Sequence, residues 1–289
     1  MVIKKTFFCF VLSLVAAVFA SARAADAADR AFKLVVMDPL SKPLSCDCVQ
    51  GYAQRDYQKL AVYLQKQLGR RVDVVWFESL AEALKETDGR ADLIIGKHSV
   101  VLYDAKKLEM PLTPLARLSG RDGSVEQHGL IVVRQRDEAQ SLRDLDGYRV
   151  FFGPEEAEEK CSAPHEALEN AGVKLAQDCK SFNACSEAAV ALLKLPAETK
   201  AAAVISSYAE PLLEGCGSVK KGDLRVVGKT KSVPFVTAFV PTSMDPNLKA
   251  SLAEALEYVS TDAKLKVGLE TLLGFVAWEE PQREPAKKK

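Results

Sequence analysis

The residues with the clearest capacity for chemistry are the cysteines. Cys46-Asp47-Cys48 places two thiols one residue apart. Thiolates so arranged suit thiol exchange or a soft metal, and a bridge closed between the two would be strained by its very small ring. A closed zinc site takes about four ligands, so the metal alternative would need His98 and glutamates from the run Glu155–Glu159 as well. Cys161, Cys179, Cys185 and Cys216 complete the set beyond the N-terminal segment, where Cys9 lies. An even set in an oxidising compartment reads as structural disulfides, with Cys46, Cys48, Cys161, Cys179, Cys185 and Cys216 as candidates and the pairing open. His98, His128 and His165 stand outside any HExxH-like arrangement. There is no GxSxG elbow, no GxxxxGK[ST] loop and no GxGxxG turn. We assign no catalytic residue, no metal site and no cofactor, and read the chain as a non-enzyme.

Chemistry of the binding kind needs positioned polar groups, so the elements matter next. Phe32 to Met37, Val72 to Phe77 and Asp92 to Ile95 read as strands. Tyr57, Leu60, Ala61, Leu64 and Leu68 recur at helical spacing, and Gly69 stops the run. Leu80 to Lys85 adds a second helix. The βαβαβ rhythm predicts a mostly parallel sheet flanked by helices. The pattern restarts with strands at Gly129 to Arg134, Tyr148 to Phe152 and Ala202 to Ile205, interleaved with helices at Ser141 to Leu145, Pro164 to Asn170, Ser186 to Leu195 and Tyr208 to Leu213. A late strand, Phe235 to Val240, and two C-terminal helices return to the first half. The chain then crosses between halves near Gln127–Gly129 and near Ser232–Phe235. Two lobes joined by two crossings enclose a cleft. The boundaries expected are 31–127 with 235–275 for the first lobe and 128–234 for the second.

In open α/β sheets ligands sit at the carboxyl ends of strands. That rule selects the loop from Asp38 to Asp56, the Gly96-Lys97-His98-Ser99 step, the loop from Gly153 to Pro164, and Ser206-Ser207-Tyr208. Lys97, His98, Ser99, Ser206, Ser207 and Tyr208 are the candidate contacts for a small polar ligand. The competing reading makes Ser206 or Ser207 a helix cap.

The two ends of the chain and its charge bound the partners. Lys4 and Lys5 precede an apolar run from Phe7 to Phe19, and Ala20-Ser21-Ala22 and Ala22-Arg23-Ala24 are small-x-small cleavage sites. This is the order of a cleaved secretory leader over residues 1–24. Its apolar run falls short of the ~20 residues that span a bilayer. Of 39 basic and 39 acidic residues the leader removes Lys4, Lys5 and Arg23, leaving 36 against 39. With no basic surplus, nucleic acid is not an expected partner. The last residues, 279–289, are charged and proline-containing and read as a disordered tail. We expect a monomer.

Five segments in order carry a family resemblance. They are Tyr57–Leu64 followed by Leu68-Gly69-Arg70-Arg71-Val72; Gly89–Gly96; Gly129–Arg134 with Ser141–Gly153; Ala202–Tyr208; and Leu248–Leu256. Together they resemble the phosphate/phosphite/phosphonate-type substrate-binding proteins of ABC transporters, over most of residues 32–275. The resemblance implies a type II periplasmic-binding-protein fold, a periplasmic location, and capture of a phosphonate- or phosphate-like solute for an ABC permease. One loop departs from the family. Where its members carry Ser/Thr-rich oxyanion contacts, this chain has Pro154-Glu155-Glu156-Ala157-Glu158-Glu159-Lys160-Cys161-Ser162. Only Ser162 and Lys160 there suit an anion, and four carboxylates would repel one. The alternatives are an accessory or sensor protein of the same fold that binds a protein partner, and a cation- or metal-binding variant using the acidic loop with Cys46 and Cys48.

Overall fold

The computed structural model describes residues 30–46, 49 and 53–279. The expected leader, Cys48 and the tail beyond Glu279 lie outside the described residues.

The first sheet grows from an apolar hexamer. Strand β1 (Phe32–Met37) turns Phe32, Leu34 and Val36 to one face and Val35 and Met37 to the other, and all five are buried. A strand buried on both faces needs helices on both. Helix α1 (Tyr57–Leu68) covers the first face with Tyr57, Leu60, Ala61 and Leu64, and Gly69 ends it in the left-handed conformation. Strand β2 (Val72–Trp76), helix α2 (Leu80–Glu86), strand β3 (Leu93–Lys97) and helix α3 (His98–Lys107) follow. Leu80, Ala83, Val101 and Ala105 of α2 and α3 cover the second face. β1 pairs in parallel with β2 and β3.

Strand β4 (Leu112–Leu118) is absent from the sequence reading, and it contains Pro114, a residue type that sits poorly inside a sheet. It is accommodated at an irregularity. Ala116 faces Ala238 and Pro114 faces Phe239, so Leu115 is the extra residue of a bulge. The chain then enters the second lobe through β5 (Glu126–Gln127). Strands β6 (Gly129–Arg134), β7 (Arg149–Phe152), β8 (Lys180–Ser181), β9 (Ala201–Ser206) and β10 (Leu224–Lys229) form a five-stranded sheet in the order β10-β6-β9-β7-β8. Helix α4 (Ser162–Asn170) places Leu168 against the face made by Ile131, Val133, Val150 and Val204. Helix α5 (Cys185–Lys194) covers the other face with Ala188, Ala189 and Leu192. Helix α6 (Glu210–Gly215) follows β9.

Strand β11 (Val233–Pro234) leads the chain back and pairs antiparallel with β5, so the two crossings lie side by side as a ribbon. Strand β12 (Val236–Pro241) then enters the first sheet between β3 and β4. Helices α7 (Pro246–Tyr258) and α8 (Ala263–Gly268) and strand β13 (Phe275–Ala277) complete it, in the order β13-β4-β12-β3-β1-β2.

The sheets are mixed rather than mostly parallel. β12 runs antiparallel to β3 and β4, and β13 antiparallel to β4. In the second sheet β6 runs antiparallel to β9 and β10, while β7 is parallel to β8 and β9. The cause is the double crossing. The strands next to the ribbon enter their sheets from the opposite end to those built by local βαβ turns, so they run against them.

Leu64 and Val62 test which face of α1 holds the lobe. Leu64 is fully buried and Val62 is 51% exposed. Leu64→Ala is expected to cost about 2–5 kcal/mol in urea unfolding, and Val62→Ala within about 0.5 kcal/mol of zero.

Candidate functional site

Three strand ends meet between the lobes. β3 delivers Lys97, β9 delivers Ser206, and the segment after β7 folds into a tight turn, Glu158–Lys160. Two glycines let that turn lie against the sheet. A Cβ on Gly129 would overlap the Glu159 carbonyl oxygen, and a Cβ on Gly153 would overlap the Lys160 side chain. The Glu159 side chain is thereby delivered into the space between Lys97 and Ser206. Lys97 Nζ lies 2.5 Å from Glu159 Oε1, and Ser206 Oγ donates to the same oxygen at 2.6 Å. Glu159 is 0% exposed and Lys97 5%. Burial alone would push the Glu159 carboxyl up. The Lys97 ammonium and the Ser206 hydroxyl outweigh it and hold the group below its ordinary range.

The acidic run is therefore a clasp between lobes. Besides Glu159, the Glu155 carboxylate accepts from Tyr103 Oη at 2.6 Å, and the Glu158 amide donates to Ser99 Oγ at 3.2 Å. Tyr103 and Ser99 belong to α3 of the first lobe. Lys231 lies 2.9 Å from Glu166 and 3.8 Å from Glu158. The sequence reading treats the carboxylates of this run as one repulsive wall. Glu155, Glu158 and Glu159 each have a partner, and Glu156 lines a cavity.

That cavity, about 390 Å³, lies between the lobes. Met37, Leu40 and Val100 give it an apolar side, and Lys97, Lys160 and Tyr208 a polar one. Lys160 Nζ donates to the Asn183 carbonyl at 2.8 Å. Among the described residues no carboxylate lies within ion-pairing distance of it. Burial lowers its pKa, and the Lys97 ammonium adds to this against the opposing pull of Cys185, Glu159 and Glu156. A second chamber of about 810 Å³ runs towards the hinge ribbon, past Arg55, His128 and Lys229. Leu40, Tyr208 and Leu212 border both chambers and divide them.

Behind the dividing wall is a buried cluster that the sequence reading does not single out. Asp38, at the end of β1, takes Arg55 Nη1 at 2.9 Å and Tyr57 Oη at 2.6 Å on one oxygen, and the Leu40 amide at 2.9 Å on the other. All three side chains are buried. Burial pulls Arg55 down, but Asp38 and Tyr57 outweigh it and raise the guanidinium. Arg55 also lies over the Phe235 ring, on which Tyr208 stacks at 4.5 Å. The only sequence signal is a charged residue directly after an apolar strand.

The expected contacts separate into groups. Lys97 and Tyr208 line the smaller chamber, and Tyr208 and Ser207 the larger. Ser206 is held by Glu159, and Ser99 by the Glu158 amide. Ser207 joins the crossing segment, its Oγ accepting from the His128 amide at 3.2 Å and its own amide donating to the His128 carbonyl at 2.8 Å. Ser162 is exposed at the start of α4 and lines neither chamber. His98 lines neither because it opens α3 facing the sheet. Its Nδ1 is 3.0 Å from Thr237 Oγ1, and its ring stacks on Trp278 at 5.2 Å.

The disulfide expectation is corrected among the described residues. No disulfide joins Cys46, Cys161, Cys179, Cys185 or Cys216. Several of these thiols serve as local hydrogen-bonding groups instead. Cys179 Sγ accepts from the Val150 amide and donates to the Ala176 carbonyl. Cys185 Sγ accepts from the Ser206 amide at 3.3 Å. Cys216 Sγ is 3.1 Å from Ser218 Oγ. Nor do the described residues gather three or more His, Cys, Asp or Glu side chains into a metal-holding group, since His98 is committed to Thr237.

His98 supplies a pH test. Burial and the Arg117 guanidinium push its pKa down to about 4 from the ordinary 6.5. A fold that prefers the neutral ring keeps that preference in full above the unfolded value and loses it as pH falls towards the folded one. The unfolding free-energy difference between wild type and His98→Gln is expected to be flat above about pH 7 and to shrink between about pH 6.5 and 4. Urea titrations at stepped pH measure it, and a difference independent of pH would contradict the account.

Comparison with known proteins places this geometry. The family described as "ABC transporter, phosphonate, periplasmic substrate-binding protein" matches residues 50–284. No curated protein matches the chain. Among solved structures, XAC2383 from Xanthomonas citri bound to ATP is 19% identical, with a TM-score of 0.64 over 86% of this chain and 92% of that one. The binding protein component of an ABC phosphonate transporter from Pseudomonas aeruginosa is 13% identical, with a TM-score of 0.64 over 87% and 82%. PhnD1 from Prochlorococcus marinus in complex with methylphosphonate is 15% identical, with a TM-score of 0.62 over 86% and 93%. These likenesses show the two-lobed fold. The family match covers most of the chain, which therefore belongs to the phosphonate family of periplasmic substrate-binding proteins of ABC transporters.

Proposed function

We propose that the chain is exported behind residues 1–24, acts as a monomer, and captures a small solute with one oxyanionic group in the 390 Å³ chamber. Lys160 is the observation that carries the reading. Among the described residues Lys160 has no carboxylate within ion-pairing distance, only the more distant Glu159 and Glu156, and a buried ammonium so placed is costly unless an anion completes it. Lys160 borders a chamber in the size range of small-molecule sites, ~300–1,000 Å³. Residues 31–127 with 235–275 move as one lobe and 128–234 as the other, turning on the β5–β11 ribbon. Binding energy favours the closed arrangement, which the permease accepts. No covalent step is involved. Tyr208 and Lys97 line the site, and Glu159 lies buried behind Lys97.

A thermal-shift panel of the mature protein at low salt tests this. It holds phosphate, phosphite, alkylphosphonates, sulfate, amino acids and amines. A ligand at 100 times its Kd adds roughly 2.7 kcal/mol. At least one oxyanion is expected to stabilise the wild type, and Lys160→Met to abolish that stabilisation while leaving the unliganded fold intact by circular dichroism. Stabilisation by amines alone, or by oxyanions equally in Lys160→Met, would overturn the reading.

A further inference from the structure

The Glu159 carboxylate occupies a seat that is itself built for an oxyanion. Its donors come from strand ends in different lobes, Lys97 Nζ from β3 and Ser206 Oγ from β9. Strand ends facing a cleft are where this class of fold presents donors to a ligand. The seat is dry, with Glu159 and Ser206 at 0% exposure and Lys97 at 5%. The backbone that carries Glu159 is pinned against Gly129 and Gly153.

The fit is incomplete in an informative manner. Oε1 receives both donors, while Oε2 is buried with no hydrogen-bond partner among the described residues. Most buried polar side-chain atoms in a folded protein have a hydrogen-bond partner. A carboxylate that stands in for a ligand's charge needs only to neutralise the cation and join the lobes. The seat adjoins the chamber, because Lys97 lines it and so does Cys185, whose sulfur contacts Ser206.

We propose that Glu159 is a built-in occupant of a latent oxyanion seat formed by Lys97 and Ser206, and that it sets the specificity of the cleft by holding one negative charge there permanently. This rests on the chamber being the solute site. It makes two statements about that site. The wild-type lobes close across Lys97–Glu159 without solute. The solute that binds beside Lys160 carries a single negative charge, because Glu159 already neutralises Lys97, Lys160 is the cation left to face the solute, and the Glu156 carboxylate lines the same chamber. A fully ionised dianion is disfavoured for that reason, whatever its shape.

Removing the internal carboxylate tests the proposal. Glu159→Ala vacates the seat, and Glu159→Gln keeps its volume without the charge. The probes are acetate, methylphosphonate and sulfate, with binding read by titration calorimetry and lobe closure by small-angle scattering. Without ligand, Glu159→Ala is expected to have a larger radius of gyration than wild type, and methylphosphonate to restore the compact value. Its affinity for methylphosphonate and sulfate is expected to rise at least tenfold over wild type. Adding Lys97→Met should erase that gain. A merely structural Glu159 would give destabilisation in both variants with no anion-dependent recovery, and that result overturns the proposal. If Glu159→Ala does not fold, Glu159→Gln decides through the same affinities: a gain for sulfate supports the proposal, and an unchanged or lower affinity overturns it. Wild-type binding lost in Lys160→Met but unaltered in the Glu159 variants leaves the chamber as the solute site and removes the built-in occupant. A folded Glu159→Ala that binds no probe removes the latter whatever the wild type does.

Discussion

The closed arrangement depends on one buried charge pair. Lys97 and Glu159 meet where neither is hydrated. Taking two such ions out of water costs several kcal/mol each, and their attraction repays this only in good geometry with further hydrogen bonds. The surrounding architecture supplies that geometry. β3 holds Lys97 at its last residue, β9 ends in the hydroxyl that shares Oε1, and two glycines bring the Glu158–Lys160 turn down onto the sheet. Separating the lobes exposes both ions to water again. The pair's contribution to the contact between the lobes is the difference between its buried and solvated energies, a smaller quantity than its Coulomb attraction suggests.

Around that pair the polar groups fall into two shells with different tasks. Asp38, Arg55 and Tyr57 form a closed set on the first lobe, and they fix the long loop after β1 against the sheet end. Arg55 in turn carries Phe235, and Phe235 carries Tyr208 from the second lobe. A wall between the two chambers is thus anchored on one lobe and contributed in part by the other. The Tyr208–Phe235 stack joins residues that lie on either side of the β5–β11 ribbon.

Local pattern was legible in the sequence and long-range pairing was not. β1, α1 with its Gly69 stop, and β6, β7 and β9 of the second lobe follow from apolar spacing, because burial on a sheet or helix face imposes it on the sequence, whereas the short β8 and the half-buried β10 do not. The mixed strand directions do not follow. They depend on where the ribbon re-enters each sheet, and no short window encodes that. β4 was not read, and the cost of its Pro114 is absorbed by a bulge that only the pairing with β12 creates. At the cleft, the strand-end rule named Lys97 and Tyr208, which line the smaller chamber, and Ser206, which lies beside it against Glu159, since strand termini are local features. It placed His98 beside them with equal reason, and the helix that starts there turns the ring towards Thr237 instead. Glu159 lay in plain view within a run of carboxylates. Its distinct role comes from a partner 62 residues away, and composition made the run look uniform.

The internal clasp bears on how such a protein reports its occupancy. In a two-state cleft the solute shifts the balance only by its different affinity for open and closed forms. A pair that already favours closure lowers the amount the solute must add, so the closed, binding-competent form is more populated and apparent affinity is less reduced. The same pair lowers the contrast between empty and loaded protein that a permease can sense. Tyr103–Glu155 and Ser99–Glu158 lie at the more exposed end of the clasp, where water competes with each contact and their net contribution is small. On the function proposed above, the balance between affinity and contrast would rest mainly on the buried pair.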